Sequence, residues 1–155
     1  QPLFHAAYKE DVADYLDVAA DQNLAVCPYS PLAGGFLTGK YERVGDGTYD
    51  VDVPEGSRGA ITDVFEDWYV SERGWHVLDE IRAVADEEDA TPAEVALAWL
   101  MAQEEFTCVP IVGARTTDQL EENVGAVDVS LSAEQFERID QARYEEEGQV
   151  YESDE

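Results

Sequence analysis

The segment Tyr29-Ser30-Pro31-Leu32-Ala33-Gly34-Gly35-Phe36-Leu37-Thr38-Gly39-Lys40-Tyr41 gathers groups that could meet an anion. Ser30 offers a hydroxyl, Gly34, Gly35 and Gly39 let backbone amides approach without a Cβ in the way, and Lys40 supplies charge. Together they suit phosphate. Glycine-rich turns also serve chain geometry, so the loop alone leaves both readings open. A second set lies downstream. Arg115 carries a planar guanidinium that can grip a phosphate with two hydrogen bonds, and Thr116 opens a helix whose positive end faces the same way. Gln119, Glu122 and Asn123 follow at i, i+3 and i+4, so they share one helical face and can converge on one ligand. Taken by itself, that row is equally an ordinary solvated polar stripe.

Both sets hang from apolar runs. Leu24-Ala25-Val26-Cys27 precedes the first, and Phe106-Thr107-Cys108-Val109-Pro110-Ile111-Val112, closed by Gly113, precedes the second. Short continuous apolar runs read as buried parallel strands, and α/β folds hold ligands at the carboxyl ends of such strands. Between them lie helices. Val12, Ala13, Leu16, Ala19 and Ala20 recur at helical spacing within 10–20, and Val77, Leu78, Ile81, Val84 and Ala85 do so within 71–87. Thr91-Pro92-Ala93-Glu94 is a capping box ahead of an apolar helix, and Ser132-Ala133-Glu134-Gln135 caps a last one bearing Phe136 and Ile139. Residues 42–59, with Gly45, Gly47, Pro54, Gly56 and Gly59, read as a long excursion. The order fits consecutive βα units, an α/β class with a parallel sheet. Two or three parallel strands neither close a barrel nor cover an open sheet, so the apolar edges of this segment need a partner.

Charge narrows the company the chain keeps. Its 36 Asp and Glu against 9 Lys and Arg give a formal charge of −27, spread from Glu10 to Glu155. Such a charge repels nucleic-acid phosphates and anionic lipid alike, so no nucleic acid and no membrane is expected as partner. It also strains the folded state unless salt screens it, which points to the salt-rich cytoplasm of a halophile. An acidic surface made for a basic partner is the alternative, and it would gather its charge in patches. Cys27 and Cys108 lack CxxC spacing and read as buried thiols. His5 and His76 stand apart from each other and from the cysteines, so no metal site is expected. Trp68, Trp75 and Trp99 read as packing residues.

The quoted loop, Pro54-Glu55-Gly56-Ser57-Arg58, the helix opened by Thr91 and the stretch from Pro110 to Asn123 together resemble the aldo-keto reductases. The likeness runs from Gln1 to about Arg143, with 144–155 as an acidic tail. It resembles the branch that includes the general bacterial and archaeal reductases and the potassium-channel β subunits. The resemblance implies the carboxyl-terminal part of a (β/α)8 TIM barrel that binds NADP (as NADPH) and reduces aldehydes or ketones, small-molecule carbonyl substrates, to alcohols. Gln1 then matches the glutamine that holds the nicotinamide carboxamide, and Tyr29 the aromatic residue stacked on the ring. Ser30, Pro31, Leu32, Ala33 and Gly34 match the loop around the pyrophosphate, Lys40 reaches the phosphates, and Arg58 falls on a basic residue of the excursion. Gly113 and Arg115 match the loop at the adenosine ribose and 2′-phosphate, while Gln119, Glu122 and Asn123 match the row at the adenine end.

The family's proton-donor tyrosine and its aspartate, lysine and histidine partners sit on earlier strands. No counterpart of that tetrad is expected in this chain, and Tyr8, Tyr15, Tyr41 and Tyr49 have no matching lysine and histidine set. Reduction of a carbonyl needs an acid near the developing alkoxide. The expectation is therefore an oxidoreductase fragment that carries the cofactor-binding part, is inactive alone, and requires an amino-terminal half-barrel. The alternative is a non-catalytic NADP-binding or regulatory module that pairs with another half-barrel or with itself. A channel-associated subunit is a third reading allowed by the family alone.

Overall fold

The structure is a computed structural model that describes residues 1–9, 12–45, 51–61 and 69–144. Trp68, Tyr49, Gly47 and the tail beyond Tyr144 lie outside the described residues. Six helices and one minute hairpin account for its regular structure among them. α1 spans Ala13–Asp21, a 3-10 segment covers Ala33–Thr38, and β1 (Glu42–Arg43) pairs antiparallel with β2 (Val51–Asp52). α2 (Arg58–Ile61), α3 (Glu72–Glu88), α4 (Pro92–Met101) and α5 (Thr117–Gly125) follow, then a 3-10 turn at Ala126–Asp128 and α6 (Ala133–Ala142).

Local sequence sets the helix starts. Ser71 caps α3 by accepting from the Gly74 amide at 2.9 Å, and Thr91 and Ser132 form full capping boxes with Glu94 and Gln135. Each box satisfies amide donors that a helix terminus otherwise leaves open. α3 ends on Asp89, whose φ of 52° is left-handed. α3 packs against α4 and α6, and α4 reaches α5 and the 3-10 segment. At the centre Trp99, fully buried, meets Phe4 edge-on at 5.7 Å and stacks on Phe136 at 5.6 Å. Phe36 sets its ring edge against Trp75 at 4.9 Å. Trp75 and Trp99 are thus packing residues, as their sequence surroundings suggested.

The strands differ from the reading of two fully buried runs. Three extended segments lie side by side in parallel, joined by bridges at Leu3 to Tyr29 and Val26 to Cys108. Val26 donates to Thr107 O and Val109 to Val26 O at 2.8 Å, Ile111 donates to Pro28 O at 2.9 Å, and Tyr29 donates to Pro2 O at 3.0 Å. Burial alternates. Val26, Pro28, Phe106 and Cys108 are buried, whereas Tyr29, Val109 and Ile111 are about half exposed, at 45, 51 and 45%. A strand's side chains point to opposite faces in turn, and here helices cover one face only. The apolar runs therefore record a strand with two apolar faces, one of which stands open among the described residues. Edges are open too: Tyr15, Val18 and Leu24 are exposed on one flank, Leu120, Val124 and Val127 on the other.

Both cysteines are free; Cys108 is buried and Cys27 partly exposed. Among the described residues no helix is long and apolar enough to cross a membrane.

Candidate functional site

Because the central and outer extended segments are parallel, the loops that leave them do so at the same end. A cavity of about 910 Å³ opens between these loops. Tyr29, Ser30, Pro31, Leu32, Gly34 and Lys40 form one wall; Gly113, Arg115, Gln119, Glu122 and Asn123 form the other. Two sets separated by more than seventy residues in sequence thus face one space. Its volume is at the upper end of the range for small-molecule and cofactor sites.

The first wall is held in an uncommon backbone shape. Ser30 and Ala33 have φ of 50°, Gly34 of 64° and Gly35 of 98°. Left-handed backbone costs a non-glycine residue about 1–2 kcal/mol and gathers at ligand sites. Glycine is required at position 34 for a second reason: a Cβ there would stand 2.7 Å from Cε2 of Tyr69. Lys40 curls back over the loop, its Nζ 2.9 Å from where a Cβ on Gly35 would be. Arg82 of α3 fixes the lysine's base by donating to the carbonyls of Gly39 at 3.0 Å and Tyr41 at 2.9 Å. Nothing in the sequence singled out Arg82, since a helix-borne arginine carries no sign of its distant acceptors.

The second wall is tied from behind. Asn123, buried, donates to Gly113 O at 3.3 Å, and Gln119 Oε1 accepts from the Arg115 amide at 2.9 Å. Thr116 caps α5 by accepting from the Gln119 amide at 3.2 Å. The polar row at i, i+3 and i+4 therefore lines the cavity and also shapes the loop before it. Arg115 reaches across to donate to Gly56 O at 2.8 Å, while the Tyr41 hydroxyl accepts from the Gly59 amide at 3.2 Å. These two bonds pin the excursion at the cavity mouth, and Ile61 of α2 joins the lining.

Three expected site residues stand elsewhere or outside description. Gln1 borders a second groove of about 480 Å³ with Pro2, Tyr15 and Leu24. Ala33 is fully buried under the loop. Arg58 heads α2, and its side chain lies outside the described residues. The lining also takes in Gly35, Thr38, Ile111, Val112 and Ala114. Gly35 and Thr38 lay within the quoted loop; Ile111 and Val112 were hidden by the reading of their run as wholly buried.

The charge and chemistry of the lining could hold an anionic ligand. Lys40 and Arg115 are two of nine cations in a chain of net charge −27, and both line this one cavity. Tyr29, 45% exposed at a strand end, offers a ring face. His5 is buried nearby in sequence to none of these; burial lowers its pKa to about 3, so it is neutral at ordinary pH. Its ring lies 6.1 Å from that of Tyr69.

A model of the aldo/keto reductase family matches residues 1–143. The chain belongs to that family. It is 34% identical over 142 residues to an uncharacterized oxidoreductase of Mycobacterium tuberculosis, covering 92% of this chain and 41% of the relative. An aldo-keto reductase of Schizosaccharomyces pombe with NADP(+) in its name is 34% identical over 124 residues, 79% of this chain and 34% of that one. L-glyceraldehyde 3-phosphate reductase of Escherichia coli O157:H7 is 32% identical over 136 residues, 84% of this chain and 37% of the relative. Among solved structures, a thermostable aldo-keto reductase crystallised with the inhibitor epalrestat superposes with a TM-score of 0.57 at 18% identity, over 90% of this chain and 38% of that one. The chain thus spans between a third and about two fifths of the length of these relatives.

Proposed function

We propose that this chain is the NADPH-binding, carboxyl-terminal part of a (β/α)8 aldo-keto reductase that reduces small aldehydes or ketones, and that it is inactive without an amino-terminal half-barrel. The observation that carries the reading is the meeting of Lys40 and Arg115, from loops at the same end of parallel segments, on one cavity. In this reading Tyr29 presents its ring to the nicotinamide, Ser30 and Lys40 hold the pyrophosphate, and Arg115 with Arg58 holds the 2′-phosphate. Gln119, Glu122 and Asn123 take the adenine end, and Gln1 the carboxamide. The bound cofactor would supply hydride to a carbonyl carbon. The alkoxide so formed needs a proton; among the described residues the cavity lining brings two cations and a carboxylate and no tyrosine beside both a lysine and a histidine. The open apolar face and flanks are the surfaces an amino-terminal half would cover. Net charge −27 fits a halophile's cytoplasm, where salt screens self-repulsion.

The test is titration of the chain with NADPH and NADH in molar salt, followed by assay with aldehydes. NADPH should bind at least about tenfold tighter than NADH, the margin of one charge-assisted phosphate contact. NADPH should not be consumed until an amino-terminal half-barrel is added. Turnover by the chain alone, or equal affinity for the two cofactors, overturns the reading.

A further inference from the structure

Tyr69 stands behind the cavity wall. It is 7% exposed, its ring closes on Gly34, and its hydroxyl donates to Ser30 Oγ at 3.2 Å. No sequence pattern marked it, and it lies outside both cofactor loops. We propose that Tyr69 is a positioning residue for the phosphate subsite: by donating a hydrogen bond to Ser30 Oγ, it leaves the Ser30 hydroxyl as a donor aimed at a bound pyrophosphate.

The chemistry follows from what a hydroxyl can do. Ser30 Oγ has one proton and two lone pairs. Once one lone pair accepts from Tyr69, the Ser30 proton is left for another acceptor, and a hydroxyl that accepts a bond becomes a stronger donor. Ser30 lines the cavity and Tyr69 does not, so the acceptor that Ser30 can meet is a ligand in the cavity. An anion is the acceptor that gains most from a polarised hydroxyl. The backbone agrees. Ser30 is held at a φ of 50°, and its carbonyl accepts from the Ala33 amide at 2.9 Å, so the residue's orientation is set on both sides. The same tyrosine ring fills the space that a Cβ at position 34 would need, so one side chain fixes the loop's path and its hydroxyl's direction.

The inference rests on the proposed cofactor reading, and three probes separate the two: NADPH, inorganic pyrophosphate and adenosine 2′-monophosphate. Tyr69→Phe keeps the ring against Gly34 and removes only the hydroxyl. It should weaken NADPH and pyrophosphate by about three- to tenfold, the worth of one hydrogen bond, and leave adenosine 2′-monophosphate unchanged. Ser30→Ala should weaken NADPH at least as much, and adding Tyr69→Phe to it should weaken it no further, because the tyrosine acts only through the serine. Wild-type affinity for NADPH in Tyr69→Phe, or additive losses in the double variant, overturns the proposal while the cofactor reading stands. A loss of adenosine 2′-monophosphate binding with a lower melting temperature assigns Tyr69 a structural role and overturns it as well. A wild-type chain that binds none of the three overturns both. One that binds pyrophosphate but not NADPH, with Tyr69→Phe weakening it, overturns only the cofactor reading.

Discussion

The helical layer and the open face of the strands both present apolar residues yet end in opposite states. Behind the strands, α3, α4 and α6 bury Trp99, Leu78, Ile81, Leu100 and Ile139 to below 2% exposure. In front of them Tyr29, Val109 and Ile111 stand about half exposed. Cores at native density lose contacts with every deleted atom, whereas an open face has nothing to lose. The helices on that side pack a dense core within these residues, though their flanks are open; the other face of the strands stands open among the described residues, and in the proposed barrel it would look inward.

Three measurements sharpen or break that contrast. Trp99→Ala should cost about 3–5 kcal/mol in denaturant unfolding, since it empties the junction of Phe4 and Phe136; a loss below 1 kcal/mol would mean the helical layer is loosely packed. His5 comes next. Its folded pKa of about 3 lies below its ordinary 6.5, so the unfolded chain binds more protons between those values. Its contribution is fully present above pH 6.5 and is lost as pH falls toward 3, about 3 kcal/mol between pH 7 and 4. The comparison of wild type with His5→Phe isolates this from the carboxylates, and parallel pH profiles would refute a buried neutral imidazole. Smallest is Ile111→Thr on the open face. Unfolding of the chain alone should shift by less than about 0.5 kcal/mol. A shift above 2 kcal/mol would show that something already covers that face.

The same contrast explains how much the sequence disclosed. Helices announced themselves at Ser71, Thr91, Thr116 and Ser132, because capping is chemistry between residues three apart. The two cavity walls were legible because each is a contiguous loop with its own glycine or cation. Contacts between distant positions left no mark: Arg82 on the carbonyls of Gly39 and Tyr41, Arg115 on Gly56, Tyr69 on Ser30. The strand runs misled in a specific way. An unbroken apolar run states that both faces are meant for burial, and it cannot state whether one chain supplies both covers.

The two thiols turn that distinction into a clock. Cys108 sits on the covered face, where burial and the neighbouring Cys27 thiol push its pKa up to about 12, so it has almost no thiolate to offer an alkylating reagent. Cys27 lies one residue along from Val26, on the alternate side of its strand, and is partly exposed. Labelling at Cys27 would time the arrival of a partner on the open face, and labelling at Cys108 would time the opening of the helical layer. In the proposed barrel, one chain would thereby report its assembly and its unfolding through two separately readable rates.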